Sequence, residues 1–227
     1  MWKVPSYLCL SYLREMDRSS VTFLSDRLTL EGLFIAPDGP GRFPGVVLCH
    51  PHPLYGGDMR NAVIEHLSSA LAACGIATLA FNFRGVGGSE GTHDRGVGEV
   101  ADALAAVDYL AQGSQIDRSV LGIAGYSFGA GIALDAIEAN SDLMAVATVA
   151  CPLAPLNDMV LHKINHPKLF IQGDTDYLIQ IDLFRFLVQR FQHPREVEVL
   201  QGAEHSLIGY EAQVGALAAD FFKRTLV

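Results

Sequence analysis

The stretch from Ser119 to Gly131 constrains the fold more than any other part of the chain, because it joins an apolar run to a serine between two glycines. The apolar run is typical of a buried strand, the G-x-S-x-G segment Gly125–Gly129 follows at once, and residues 130–139 have a helical composition. A strand, a sharp turn and a helix in this order expose the serine hydroxyl at the edge of a sheet. A Cβ at either flanking glycine would collide with the backbone of so tight a turn. We therefore predict that Ser127 is a nucleophile.

Strand-like and helical segments alternate along the rest of the chain. Short apolar runs typical of buried strands lie at 45–49, 76–83, 145–150, 168–172 and 197–200. Helical spacing of apolar residues fills most of the intervals, so we predict an α/β fold with a doubly wound, mostly parallel sheet and helices on both faces. Residues 21–24 and 28–36 predict an antiparallel hairpin at the sheet edge. The short segment 152–167 leaves no room for a large cap domain.

Composition and charge limit the classes of partner. The 227 residues suit one sizeable domain, and we expect an N-terminal extension over 1–15 followed by a single domain over 16–227. The formal charge is −9 without a basic stripe, which argues against nucleic acid and anionic membranes as partners. No apolar run reaches the roughly 18 to 20 residues of a membrane span. The four cysteines lie far apart without a C-x-x-C pair, so we expect reduced thiols in a cytoplasmic protein.

Polar residues that could assist the serine fall directly after predicted strands, where the carboxyl ends of parallel strands meet. A serine nucleophile needs a histidine base, and that histidine needs a carboxylate to orient it. Asp176 and His205 follow Ser127 in the order that this kind of fold requires. Asp174 is the alternative carboxylate. We favour Asp176, because one more turn residue lets it reach the neighbouring loop while Asp174 braces the turn.

The developing oxyanion of an attacked carbonyl needs two fixed hydrogen-bond donors. One candidate is the backbone N–H of Phe128, which follows the serine at the start of a helix. The other should lie in the loop after the strand at 45–49, where His52 stands between two prolines that have no N–H. We therefore predict the N–H of His52 as the second donor. Leu54 and Tyr55 are the alternatives.

Further pocket residues are expected near the predicted strand ends and at the start of the segment 152–167. They are His50, Leu54, Tyr55, Arg84, Tyr126 and Leu153. The glycine-rich turn 85–88 should shape the pocket floor, with Arg84 paired to one of three acidic residues: Asp58, Glu90 or Asp94. Leu153 has two interpretations, either as part of an apolar rim over the substrate or as core packing.

We expect neither a metal nor a cofactor. The pair His50 and His52 could suggest a metal site, but residues at i and i+2 in extended backbone give a two-point contact, and no third ligand accompanies them at a suitable spacing.

The G-x-S-x-G segment, the later aspartate and histidine, and the segments 50–57 (HPHPLYGG) and 82–89 (NFRGVGGS) together resemble the α/β-hydrolase superfamily. More narrowly, they are similar to small bacterial hydrolases without a lid that are kin to dienelactone hydrolases and short-chain esterases. The resemblance covers about residues 20–225 and implies a catalytic triad of Ser127, Asp176 and His205. Two features depart from it: His-Pro stands where many esterases have His-Gly, and serine stands where dienelactone hydrolases have cysteine, which argues against dienelactone as the substrate.

We therefore expect a serine carboxylesterase that cleaves small soluble esters through an acyl-enzyme. Its partner would be a small-molecule acyl ester, and a homodimer is the one assembly that we consider. A thioesterase, a lactonase or a small peptidase would use the same three residues. From a different class, a relative of the same fold that has lost catalysis could bind a ligand or a partner instead.

Overall fold

The computed structural model describes residues 18–227, and their strands form one eight-stranded sheet in the order β1-β2-β4-β3-β5-β6-β7-β8. The predicted hairpin is present as β1 (Arg18–Ser25) and β2 (Leu28–Ile35), and β2 is antiparallel to β4. The other neighbours are parallel. These parallel strands are β3 (Phe43–Cys49), β4 (Ala77–Phe81), β5 (Ile116–Tyr126), β6 (Leu143–Val149), β7 (Lys168–Gly173) and β8 (Arg195–Leu200). The predicted extension over 1–15 lies outside the described residues.

Helices cover both faces of the sheet. They are α1 (Ala62–Ala73), α2 (Val97–Ala111), α3 (Phe128–Ala139), the single turn α4 (Leu153–Leu156), α5 (Ile181–Val188) and α6 (Glu211–Leu226). Gly45 on β3 faces Leu110 of α2, whereas Gly122 on β5 faces Phe222 of α6. Gly45 pairs with the residue before Gly122, and successive residues of a strand point to opposite faces, so α2 and α6 lie on opposite sides. The predicted doubly wound α/β architecture is confirmed.

The central strands are buried on both faces, as their continuous apolar sequence predicts. Val46, Val47 and Leu48 of β3 have no exposed surface. The strand predicted at 76–83 is shorter than expected: β4 ends at Phe81, and the side chain of the next residue, Asn82, accepts a hydrogen bond from the N–H of Met59. The first polar residue after β4 therefore lies at the carboxyl end of that strand.

The segment between β6 and β7 carries no cap. Besides α4, it contains one 3-10 turn, Leu161–Lys163, over its sixteen residues from 152 to 167. This segment therefore does not close over the carboxyl edge of the sheet, where the serine lies. Within residues 18–227, no helix is long and apolar enough to cross a membrane.

Two of the cysteines behave as small apolar residues. Cys49 at the end of β3 and Cys151 after β6 are buried, and burial raises the pKa of both thiols. Cys74 is half-buried at the C-terminal end of α1, and Cys9 lies outside the described residues.

Candidate active site

Ser127 occupies a strained turn between β5 and α3. Its backbone has φ 53° and ψ −117°, a conformation that costs a non-glycine residue about 1–3 kcal/mol. The turn is held by a hydrogen bond from the Ser127 N–H to the Val149 carbonyl at 2.8 Å. A Cβ on Gly125 would overlap the carbonyl of Gly129, and a Cβ on Gly129 would overlap the carbonyl of Cys49. A side chain larger than that of glycine would collide with the backbone at position 125 and at position 129, as the sequence predicts.

Three side chains form a continuous hydrogen-bonded chain at this turn. Ser127 Oγ lies 3.0 Å from His205 Nε2, and His205 Nδ1 lies 2.8 Å from Asp176 Oδ2. A carboxylate can only accept, so Nδ1 carries the hydrogen and Nε2 is left to accept from the serine hydroxyl. The Tyr126 hydroxyl donates to the backbone carbonyl of His205 at 2.8 Å and holds the base from behind. The arrangement suits a histidine that removes a proton from the serine.

Asp176 is the carboxylate in this chain, and it is fully buried. Its Oδ1 accepts the N–H groups of Leu178 (2.8 Å) and Ile179 (3.0 Å), and its Oδ2 also accepts from Gln172 Nε2 at 2.9 Å. Burial raises the pKa of Asp176, but the hydrogen bonds from His205 and Gln172 outweigh that effect and leave the pKa below its ordinary value. Asp176 therefore stays ionised beside His205.

Asp174 is not in contact with His205. Its Oδ1 accepts the N–H of Gly202 at 2.6 Å and so ties the loop after β7 to the loop after β8. These are the loops that carry Asp176 and His205. The structure thus places Asp174 as a brace of the turn.

The alternative oxyanion donors, the N–H groups of Leu54 and Tyr55, already make hydrogen bonds inside the loop after β3. The N–H of Leu54 donates to His52 Nδ1 at 3.2 Å, and the N–H of Tyr55 donates to the His52 carbonyl at 3.1 Å. Within residues 18–227, no protein acceptor engages the N–H of His52 or of Phe128. The two residues are neighbours, because their ring centroids are 4.9 Å apart. Both N–H groups are therefore available to a ligand.

His50 does not line the pocket, contrary to the sequence prediction. It is fully buried, with Nδ1 donating to the Pro51 carbonyl at 2.6 Å and Nε2 accepting the N–H of Phe83 at 3.1 Å. Burial lowers the pKa of His50 to about 4, so the ring is neutral at pH 7. His50 joins the loop that contains His52 to the end of β4. It is a fixed part of that loop.

Arg84 is also placed differently from the prediction. Its guanidinium binds Asp102 of α2 with two hydrogen bonds, from Nε at 3.0 Å and from Nη2 at 2.8 Å, and it lies 3.5 Å from Asp26. The expected partners Asp58, Glu90 and Asp94 are wrong. Asp102 is fully buried, and a buried carboxylate needs a cation with matching geometry.

Replacing Arg84 by methionine is expected to lower the free energy of unfolding by about 3–5 kcal/mol, because the buried Asp102 carboxylate loses its counter-charge. Urea titration measures the change. Arg224→Met is the matched control, since Arg224 pairs with Glu196 at 2.9 Å where both side chains are about half exposed. That variant should change stability by less than about 1 kcal/mol. Equal losses in the two variants would contradict the structural role of the Arg84 pair.

A cavity of about 640 Å³ opens beside the serine turn. It is lined by His52, Leu54, Tyr55, Thr92, His93, Arg95 and Phe128. Leu54 and Tyr55, two of the predicted pocket residues, therefore lie in the wall of this cavity. Neither Tyr126, which is buried under His205, nor Leu153, which is half-buried and packs against the core, belongs to this lining.

Three lining residues, Thr92, His93 and Arg95, are not among those predicted from the sequence. They lie between the glycine-rich turn after β4 and the first residue of α2. They belong to the loop that joins a predicted strand to a predicted helix, and that was the available signal, because such loops gather at the carboxyl edge of the sheet.

Comparison with known proteins agrees with this geometry. Residues 45–220 match the family described as an alpha/beta hydrolase domain. An uncharacterized protein of Rickettsia prowazekii is 34% identical over 184 residues, which is 78% of this chain and 76% of that protein. An alpha-beta serine hydrolase homologue from Coxiella burnetii has 32% identity and a TM-score of 0.80, covering 89% of this chain and 96% of that one.

A further solved structure shares the open architecture. It is a protein from Xanthomonas campestris described as a serine hydrolase without lid, with a TM-score of 0.80 over 92% of this chain and 94% of that one. Its sequence identity is 24%, so the likeness shows the fold alone.

Proposed function

Since the chain belongs to the α/β-hydrolase family, we propose that it is a serine hydrolase that cleaves small carboxylic esters through an acyl-enzyme. The observation that carries the proposal is the hydrogen-bonded chain from Ser127 through His205 to the buried Asp176. A ligand-binding relative without catalysis would have no need for a strained serine aligned with a base and a carboxylate.

In the first half of the proposed reaction, His205 Nε2 takes the proton from Ser127 Oγ while that oxygen attacks the ester carbonyl. Asp176 stabilises the imidazolium through the Nδ1–H hydrogen bond and is not itself protonated. The N–H groups of Phe128 and His52 would hold the oxyanion. When the tetrahedral intermediate collapses, the C–O bond to the alcohol breaks and His205 Nε2–H gives its proton to the departing oxygen.

In the second half, a water molecule attacks the acyl group on Ser127. His205 removes one proton from that water, and the second tetrahedral intermediate releases the carboxylic acid as the proton returns to Ser127 Oγ. The same groups therefore act twice, and no further protein residue is needed for proton transfer.

The size of the substrate is inferred from the open carboxyl edge. The segment 152–167 provides one helical turn and one 3-10 turn, which is too little chain to enclose a long acyl group. Small soluble esters suit such a shallow site. Thioesters, lactones and small peptides would be cleaved by the same chemistry and remain alternative substrates. The cytoplasmic location stays a prediction.

A fluorophosphonate probe is expected to label the folded protein at Ser127, because the probe reacts with serine hydroxyls that a base activates. Intact mass and peptide mapping measure the addition and its position. Ser127→Ala and the heat-unfolded wild-type chain are the controls, and neither should be labelled. Folded protein that remains unmodified at Ser127 would overturn the proposed enzyme.

A further inference from the structure

The cavity beside the serine turn contains a cation that the proposed ester hydrolysis does not use. Arg95 lines the cavity together with His93 and Phe128, and the backbone N–H of Phe128 is one of the proposed oxyanion donors. The His93 ring lies 5.6 Å from the Phe128 ring and 5.0 Å from the His52 ring, measured between centroids. Arg95 and one of the proposed oxyanion donors therefore line the same cavity.

The backbone of Arg95 is held in place by its neighbours in the chain. Its backbone has φ 56°, in the left-handed region that non-glycine residues rarely adopt. The fully buried carboxylate of Glu99 accepts the N–H of Asp94 at 2.8 Å and the N–H of Gly96 at 2.7 Å, so it fixes the backbone on both sides of Arg95. A strained backbone over-determined by a buried charge is typical of functional positions.

The same carboxylate also fixes the wall of the cavity. Glu99 Oε1 lies 2.7 Å from His93 Nδ1, which is an ion-pair distance, although the two atoms are not aligned for a hydrogen bond. At that distance the His93 ring is packed against the carboxylate. Glu99 thus holds both His93 and Arg95 without reaching the cavity itself.

The charge of Arg95 is not balanced by the protein. Within residues 18–227, Arg95 makes no ion pair, and no Asp or Glu lines the cavity. His52 adds no positive charge at pH 7, since burial and the nearby His93 lower its pKa. Arg95 is an exposed residue, so its guanidinium is accessible to a ligand that enters the cavity from solvent.

We propose that Arg95 binds a carboxylate on the substrate, so that the preferred substrates are small esters that carry a free carboxylate in their acyl or alcohol part. A planar guanidinium matches the two oxygens of a carboxylate, and one cation balances its single charge, whereas a phosphate monoester carries nearly two. The inference rests on the proposed ester hydrolysis and adds the class of substrate to it.

Two substrate pairs of matched size test the inference. Mono(4-nitrophenyl) adipate and 4-nitrophenyl hexanoate place the carboxylate or its apolar equivalent on the acyl side. 4-Acetoxybenzoate and its methyl ester place it on the alcohol side. For each pair the measured quantity is the ratio of kcat/KM for the anionic ester to kcat/KM for the neutral one. In at least one pair, Arg95→Gln should lower this ratio about tenfold.

Two further variants separate charge from folding. Arg95→Lys must adopt the same left-handed backbone as Arg95→Gln but keeps the cation, so its ratio should stay closer to that of the wild type. Arg118→Gln removes an equal charge at the start of β5, at the opposite edge of the sheet from Ser127, and should leave the ratio unchanged.

The outcomes distinguish the two proposals. Hydrolysis of the neutral esters with a ratio that Arg95→Gln changes less than twofold in both pairs would overturn the carboxylate site and leave the proposed ester hydrolysis standing. No hydrolysis of any of the four esters by the wild-type protein would overturn the proposed ester hydrolysis, and the carboxylate site with it.

Discussion

Replacement of Ser127 by alanine is expected to lower kcat for p-nitrophenyl acetate by about 10⁴-fold or more. The side chain supplies the proposed nucleophile, and the members of a triad act as a unit, so His205 and Asp176 cannot compensate for its loss. Steady-state kinetics on purified protein measure the effect. Residual activity over uncatalysed hydrolysis should come from the donors at Phe128 and His52.

The fold of Ser127→Ala should be intact. Alanine occupies the same strained backbone that serine does, and the turn keeps its N–H bond to the Val149 carbonyl. Thermal unfolding checks this expectation. Activity within tenfold of the wild type, in a variant with an unchanged unfolding curve, would show that another residue is the nucleophile.

Replacement of Asp176 by asparagine is expected to lower kcat by roughly 10³–10⁴-fold. An amide in this position can offer its NH₂ group to His205, and the imidazole would then carry its hydrogen on Nε2, where it cannot accept the proton of Ser127. The amide oxygen is also a weaker acceptor than the carboxylate for the N–H groups of Leu178 and Ile179. Kinetics on the same ester measure the loss.

Asp174→Asn is the matched control for this prediction. It makes the same change from carboxylate to amide two residues before Asp176. Asp174 accepts a hydrogen bond from the N–H of Gly202 and does not contact His205. An amide oxygen can still accept that hydrogen bond, so kcat should fall less than about fivefold. The reverse order of effects would assign the orienting role to Asp174.

Much of this arrangement could be predicted from the sequence, because its determinants are local. Glycine at 125 is required by its contact with the carbonyl of Gly129 inside the turn, and glycine at 129 by its contact with the carbonyl of Cys49 on the neighbouring strand. The G-x-S-x-G pattern identifies Ser127 between them. Asp176 and His205 come after buried strands whose apolar runs are visible in the sequence, and parallel strands bring such positions to one edge. The distance between the three side chains could not be known from the sequence.

The errors concern residues whose partners come from tertiary packing. Arg84 pairs with Asp102, which lies eighteen positions later in α2. The sequence does not show which face of that helix is buried against β1 and β3. His50 looked like a site residue because it follows β3. Its ring turns inward because the N–H of Phe83, which follows a strand that is adjacent only in the folded sheet, needs an acceptor.

The shortness of the segment between β6 and β7 has a consequence for the fate of an acyl-enzyme. Because this segment provides one helical turn in place of a cap, it would not shield a proposed acyl-enzyme at Ser127 from bulk water, which is present at far higher concentration than any other acceptor. Transfer of the acyl group to a second alcohol or amine would need a site that shields it and holds the competitor. In the proposed reaction, the short segment would direct the intermediate towards hydrolysis, and turnover would not need the opening and closing step that often limits enzymes with lids.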